Sequence, residues 1–102
     1  MSDIKFLEQR AMEIRRKYDQ LNKAREGQSW STQKLAHGFK KDVADLITIL
    51  EAKQMDQKKL NHELADCLWS VLVIAHKLEI DLERAFWTTM GELDQRFKDG
   101  EV

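Results

Sequence analysis

The sequence predicts an all-α fold of four helices, and three observations support this prediction. The 102 residues include no proline and only four glycines, so helix-breaking residues are scarce. Apolar side chains recur at alternating steps of three and four residues, which is typical of one face of an amphipathic helix. No segment shows the strict alternation of apolar and polar residues that marks a half-buried strand. A chain of this length suits one domain, covering residues 1–102.

The first two helices are predicted from their apolar stripes and from the residues that bound them. The first covers about residues 3–24 and is ended by a Gly-Gln-Ser break at residues 27–29. Ser31 or Thr32 can cap the second helix, because a hydroxyl there can accept from a free backbone N–H of the first turn. The apolar stripe predicts that this helix runs to about Lys53.

The third helix is the most apolar segment of the chain. From residue 64 to residue 75 only Asp66 and Ser70 are clearly polar, and a helix that is apolar on all faces is a buried helix. We expect a tight turn at about residues 54–56 before this helix and an end around Leu78. This helix carries the carboxylates of Glu63 and Asp66. Each of them needs a partner, because an isolated buried charge is costly.

A fourth helix is expected after Asp81, which is a good capping residue, with apolar positions from Leu82 to Phe97. One chain of 102 residues offers few further elements with which to surround the third helix. The sequence therefore predicts a four-helix bundle that is completed by dimerisation, and a homodimer is the default assembly.

Charge and cysteine usage restrict the function and the location. The net charge of −1 provides no general attraction for nucleic acid or membrane, so neither is expected as a partner. We interpret the basic run Arg15-Arg16-Lys17 as a solvated face. Cys67 is the only cysteine, which excludes an intrachain disulfide and suits a reducing compartment. With no signal peptide evident and no apolar run near the roughly 20 residues of a membrane span, we expect a cytoplasmic protein.

Two acidic pairs are arranged symmetrically in the second and third helices. Asp42 and Asp45 are three residues apart, as are Glu63 and Asp66, and this spacing puts each pair on one helix face. The two pairs are symmetric about residue 54, which lies midway between Asp45 and Glu63 and midway between Asp42 and Asp66. In an antiparallel hairpin that turns there, Asp45 stands opposite Glu63, and Asp42 stands opposite Asp66.

Four clustered carboxylates repel one another unless positive charge lies between them. A hard divalent cation answers this need, and an all-oxygen site suits Mg²⁺, with Mn²⁺ as a substitute. The alternative is that Asp42 and Asp45 face solvent while Glu63 and Asp66 pair with lysines or arginines.

These residues resemble the MazG-like nucleotide pyrophosphohydrolases, the all-α NTP pyrophosphatase superfamily. That family carries Glu-Glu-x-x-Glu on one helix and Glu-x-x-Asp on the next, closing on Mg²⁺. The second half stands here as Glu63-Leu64-Ala65-Asp66, and the first half as Lys41-Asp42-Val43-Ala44-Asp45. The resemblance covers about residues 18–97 and is carried further by three segments, residues 30–46, 62–71 and 80–86.

The resemblance implies a four-helix MazG-like bundle that forms a homodimer or a dimer of dimers. It also implies Mg²⁺-dependent hydrolysis of a nucleoside triphosphate to the monophosphate and pyrophosphate. The residues that would hold the metal and act in catalysis are Asp42, Asp45, Glu63 and Asp66.

The sequence departs from the family pattern in both helices of the site and in the last helix. Lys41 replaces the leading glutamate, and the aspartates at 42 and 45 are one methylene shorter than glutamate. Thr89 and Leu93 stand where typical members carry a lysine and an asparagine. Two alternatives therefore stay open: a non-catalytic MazG-like interaction module, and a metal-dependent hydrolase of another phosphate compound.

Further side chains are candidates for contact with the substrate. Trp30 precedes the second helix, where the family often places residues that contact the base, although core packing is the alternative. Lys53 and Arg96 are candidate phosphate contacts, with a solvated surface cation as the alternative for each. We interpret His37 and His62 as hydrogen-bonded structural histidines.

Overall fold

Four α-helices and no strand are formed by residues 3–26 and 31–100, which are the residues that the computed structural model describes. The helices are α1 (Asp3–Glu26), α2 (Thr32–Leu50), α3 (Gln57–Lys77) and α4 (Leu82–Lys98). The prediction of an all-α fold of four helices is confirmed. The predicted break at 27–29 and Trp30 lie outside the described residues. None of the four helices is both long and apolar enough to cross a bilayer.

Polar side chains cap the beginnings of three helices. The Ser31 hydroxyl accepts from the Lys34 N–H at the beginning of α2, and the Asp81 carboxylate accepts from the Arg84 N–H at the beginning of α4. Asp56 accepts from the two N–H groups of Lys58 and Lys59 at the beginning of α3. The chain reverses over residues 51–56, because Asp56 already caps α3. Helix α2 therefore ends at Leu50, three residues earlier than predicted.

The core lies along the second half of α3, between α1 and α2, which both pack against it. Its buried side chains are Ala11 of α1, Leu35 of α2, and Leu72 and Val73 of α3. Val73 is only 1% exposed, and burying a side chain of this kind contributes roughly 1.5–3 kcal/mol. Trp69 reaches across the interface, where its Nε1–H donates to the Ala11 carbonyl at 3.1 Å.

The first half of α3 is less buried than its composition predicts. Leu64 and Leu68 are 51% and 44% exposed, while the fully buried positions begin only at Ser70. The prediction that α3 is buried on all faces is therefore wrong for this half of the helix within one chain. The reason is that, in the described part of the chain, no other helix covers its outer face.

Arg15 is buried, which contradicts its interpretation as part of a solvated face. Its side chain is 4% exposed, and its Nε–H donates to Asp19 Oδ1 at 3.1 Å. The guanidinium also lies 5.6 Å from the ring centroid of Tyr18 and 5.7 Å from that of Trp69. A planar, weakly hydrated guanidinium stacks on aromatic faces, and this makes burial of the charge tolerable. The next residue, Arg16, is exposed as expected.

Helix α4 leaves the core soon after it begins. Leu82 packs against the core cluster, but Phe86 and Trp87 are 52% and 66% exposed and contact mainly each other, edge to face at 5.5 Å. The radius of gyration is 16.6 Å. A compact domain of this length would have about 13 Å. A single chain is therefore elongated, with most of α4 projecting from the bundle.

Candidate functional site

The α2–α3 hairpin brings Asp42 to the interface of the two helices. The Ser70 hydroxyl donates to Asp42 Oδ2 at 2.8 Å, and Ser70 is 6% exposed. Ser70 lies one turn beyond Asp66, the residue that the symmetric arrangement places opposite Asp42. Asp42 is half-buried and faces α3, so the alternative in which it points to solvent does not describe its position.

Asp45 forms an ion pair with a lysine of its own helix, and its place opposite Glu63 stays a prediction. The Lys41 ammonium lies 3.3 Å from Asp45 Oδ2, with side chains 78% and 46% exposed. Such an exposed ion pair between residues four apart contributes little to stability, because water screens it. Lys41, which replaces the leading glutamate of the motif, nevertheless compensates the charge of Asp45.

Helix α3 itself forms a cluster that could hold a metal ion. His62, Glu63 and Asp66 each offer one ligand atom, and these atoms lie within 4.8 Å of one another. His62 Nε2 and Asp66 Oδ2 are 3.0 Å apart. Glu63 Oε2 is buried and has no hydrogen-bond partner among the described residues. Leaving a carboxylate oxygen buried in this way is costly, so the oxygen is suited to a cation.

The pKa of Cys67 reflects the negative charge of this cluster. Burial raises the pKa of the Cys67 thiol, and the carboxylates of Asp42, Glu63 and Asp66 raise it further. All three act on one sulfur atom, so Asp42 from α2 lies within electrostatic range of the α3 cluster. Asp45 is not among the causes of this shift. Three of the four predicted carboxylates thus raise the pKa of Cys67, and the fourth pairs with Lys41.

A cleft of about 190 Å³ adjoins Asp42 between α2 and α3. Its lining is mostly apolar, with polar groups at the Asp42 end, and consists of Leu35, Gly38, Lys41, Asp42, Trp69, Ser70 and Val73. A concave, largely apolar site with a few convergent polar groups is typical of small-molecule binding. A larger cavity of about 550 Å³ lies between α1, the end of α3 and the beginning of α4, but none of the four predicted acids lines it.

Two of the three predicted substrate contacts lie on exposed parts of the described chain. Trp30 lies outside those residues, so its role stays a prediction. Lys53 is exposed in the turn between α2 and α3, and Arg96 is exposed near the end of α4. Neither lines the cleft beside Asp42.

Two residues of the site were not predicted from the sequence as functional. His62 was interpreted as structural, yet its ring nitrogen joins the acidic cluster. Its signal was the four-residue spacing to Asp66, which puts both side chains on one face of α3. Ser70 had a weaker signal, because a buried serine on an apolar helix is common and its partner on α2 depends on the packing of the two helices.

The fold and the site define an all-α protein with an acidic cluster at a helix hairpin, suited to a divalent cation. The MazG nucleotide pyrophosphohydrolase domain matches residues 31–100, which include α2, α3, α4 and all four predicted acids. The chain therefore belongs to the MazG nucleotide pyrophosphohydrolase domain family, and membership indicates a hydrolase of the pyrophosphohydrolase type. Comparison with curated proteins found no match, and neither did comparison with solved structures.

Proposed function

We propose that this protein is a Mg²⁺-dependent nucleoside triphosphate pyrophosphohydrolase, which releases a nucleoside monophosphate and pyrophosphate. The observation that carries the proposal is the buried Glu63 Oε2, which has no hydrogen-bond partner among the described residues. It lies beside Asp66, with Asp42 in electrostatic range, in a chain of the MazG family. A cation satisfies this oxygen and binds the phosphates of a nucleotide at the same point.

The chemistry of the ligands fits Mg²⁺, because anionic oxygens are the ligands that Mg²⁺ and Mn²⁺ prefer. Glu63 and Asp66 of α3 and Asp42 of α2 would hold the ion, and Asp45 would join them once Lys41 turns away. The bound ion supplies neutralisation of phosphate charge and a more acidic water molecule.

The side chains of the protein orient the groups that react. The Ser70 hydroxyl donates to Asp42 Oδ2 and so fixes the orientation of this carboxylate. One carboxylate of the site takes a proton from the attacking water as the new P–O bond forms at the α-phosphate. The bond from the α-phosphorus to the bridging oxygen breaks, and pyrophosphate leaves with the electron pair. Trp30 would contact the base, while Lys53 and Arg96 would contact phosphates.

We propose further that two chains associate through α4. The exposed apolar residues Phe86, Met90, Leu93 and Phe97 recur at steps of four, three and four residues. This spacing is typical of a seam between two packed helices, and most of it is uncovered in one chain. A second copy presents the same seam, so a two-fold dimer covers both. A dimer in the cytoplasm, acting on free nucleotides rather than nucleic acid, agrees with the charge and cysteine content of the chain.

The test is a panel of ribo- and deoxyribonucleoside triphosphates, with Mg²⁺ or Mn²⁺ and with EDTA, whose products are separated by anion exchange. We expect nucleoside monophosphate and pyrophosphate as the products, and only when Mg²⁺ or Mn²⁺ is present. Asp66→Asn should abolish activity while helicity is retained, because the substitution preserves volume and removes charge. Asp94→Asn on the exposed surface of α4 is the matched control and should keep full activity. Release of diphosphate and phosphate would contradict cleavage between the α- and β-phosphates.

The ion pair between Lys41 and Asp45 favours a second candidate function, a MazG-like interaction module without catalysis. In that case Asp45 forms a surface ion pair instead of binding a metal ion, and no nucleoside triphosphate is hydrolysed. The variant Lys41→Glu/Asp42→Glu/Asp45→Glu restores the full acidic motif and its reach. If the wild-type protein is inactive and this variant releases pyrophosphate, the shortened side chains caused the loss of activity. If the variant is inactive as well, the result supports the interaction module. Hydrolysis of another phosphate compound alone would instead support the third alternative.

A further inference from the structure

We propose that His62 is a nitrogen ligand of the metal ion held by Glu63 and Asp66. The site then binds a later first-row ion such as Co²⁺ more tightly than the Mg²⁺ that supports the proposed activity. This inference rests on the proposed function, since it assigns a further ligand and a metal preference to the same centre. The two acidic pairs by themselves describe an all-oxygen site, in which a histidine has no part.

The spacing of the ligand atoms suits coordination by both side chains. Neighbouring ligands of a six-coordinate ion with bonds of about 2.1 Å lie about 3 Å apart, and opposite ligands lie about 4.2 Å apart. His62 Nε2 and Asp66 Oδ2 are 3.0 Å apart. With Glu63 included, all three ligand atoms lie within 4.8 Å of one another. A separation near 4.8 Å exceeds the span of about 4.2 Å across one ion, so binding would draw the three side chains closer together.

An ordinary surface ion pair explains only part of this arrangement. A pair between His62 and Asp66 at helical spacing, with side chains 70% and 39% exposed, accounts for those two groups. It leaves Glu63 Oε2 buried and without a hydrogen-bond partner among the described residues, in a carboxylate that offers a ligand atom to the same cluster. A cation at the centre of the three side chains satisfies that oxygen and the imidazole lone pair together.

The identity of the donors then sets the preference for metal. Imidazole suits the later first-row ions, and affinity generally rises from Mn²⁺ through Co²⁺ and Ni²⁺ to Cu²⁺, whereas Mg²⁺ selects carboxylate, carbonyl and water oxygens. A site in which one imidazole joins the carboxylates is better matched to a borderline ion than to Mg²⁺.

The experiment measures metal affinity directly on the full-length protein after removal of metal with EDTA and desalting. Isothermal titration with Mg²⁺, Mn²⁺ and Co²⁺ gives the three dissociation constants, and the Co²⁺ absorption spectrum reports nitrogen ligation. The variants are His62→Gln, Glu63→Gln and, as the matched control, His37→Gln, which changes an exposed histidine of α2.

We expect His62→Gln to weaken Co²⁺ and Mn²⁺ by about 10-fold or more, the scale on which loss of a well-placed group at a metal site acts. Mg²⁺ affinity should change less than about 2-fold, because Mg²⁺ gains little from imidazole. The Co²⁺ spectrum should change in His62→Gln and stay the same in His37→Gln. Glu63→Gln should weaken all three ions, since it removes a charged oxygen that every one of them uses.

Four results would overturn the inference. Equal losses for Mg²⁺ and Co²⁺ in His62→Gln, or no loss for either, would show that His62 is only an ion-pair partner of Asp66. An equal loss of Co²⁺ in His37→Gln would show that surface histidines bind the ion. If wild-type protein bound none of the three ions, the metal centre of the proposed function would fail as well. If it bound Mg²⁺ tightly and did not prefer Co²⁺, only the inference on His62 would fail.

Discussion

Cys67 provides a way to measure the charge of the site without a metal or a substrate. Its thiol lies among Asp42, Glu63 and Asp66, and burial together with these carboxylates raises its pKa. A raised pKa in the folded state stabilises the fold at every pH below the pKa of the unfolded chain. That contribution is lost as the pH rises through the folded pKa, so the free energy of unfolding should fall at alkaline pH.

The first prediction follows from this environment and uses metal-free protein. The rate of alkylation of Cys67 by iodoacetamide, measured against pH, should yield an apparent pKa above that of the urea-unfolded chain. Asp66→Asn should lower this apparent pKa, because it removes one of the neighbouring charges. Asp45→Asn, which changes a carboxylate that does not contribute to the shift, should leave it unchanged. A shift of the same size in both variants would place the carboxylate of Asp45 beside the thiol too.

At the scale of an element, the end of α3 is closed by a residue in an unfavourable conformation. Glu79 has φ of 56°, and the Ile80 N–H donates to the Ala75 carbonyl at 2.9 Å, as in a Schellman motif. The left-handed region costs a residue with a side chain roughly 1–2 kcal/mol, which is why glycine usually occupies this position. Helix α4 follows that rule, with Gly100 at φ of 72° after its last residues.

The second prediction is that Glu79→Gly stabilises the protein. The gain should be about 0.5–1 kcal/mol, since relief of the left-handed strain exceeds the added flexibility of the unfolded chain. Urea denaturation followed by circular dichroism measures the difference. The matched control is Glu51→Gly at the end of α2, where φ is −86° and no strain exists, so the same substitution should lower stability. A loss of stability in Glu79→Gly would contradict the strained turn.

At the scale of the whole molecule, the distribution of apolar surface is uneven. One end is a closed core formed by α1, α2 and the second half of α3, while α4 exposes a stripe of large apolar side chains. Exposed apolar stripes of this extent mark contact surfaces in soluble proteins. The exposed stripe of α4 is the surface on which the proposed association of two chains rests.

The third prediction tests this seam at Met90, which is 37% exposed in the middle of the stripe. Wild-type protein should have the mass of two 12.0 kDa chains in light scattering coupled to size exclusion. Met90→Asp should raise the dissociation constant by at least roughly 100-fold, because an unpaired carboxylate in an apolar seam costs several kcal/mol. Thr88→Asp, on the opposite face of α4, should remain a dimer. Dimerisation of Met90→Asp at wild-type affinity would place the interface elsewhere.

The sequence by itself determined the parts of this protein that depend on local interactions. Helix type and number follow from apolar periodicity and from the absence of proline. The caps at Ser31 and Asp81 follow from hydrogen bonds that span three residues. The spacing of the acids in α2 and α3 placed each pair on one helix face. These features are readable because each depends on neighbours within one or two turns of the same helix.

Tertiary structure alone decided which side chains meet across helices. The partner of Asp42 is Ser70, 28 residues away, and the stacking of buried Arg15 on Trp69 joins α1 to α3. The exposure of Leu64 and the addition of His62 to the acidic cluster were equally unpredicted from sequence. Each depends on how far one helix slides along another and on which rotamer the packing then permits. Both are set by the shape of the whole core, because many weak contacts select among registers that local spacing leaves equivalent.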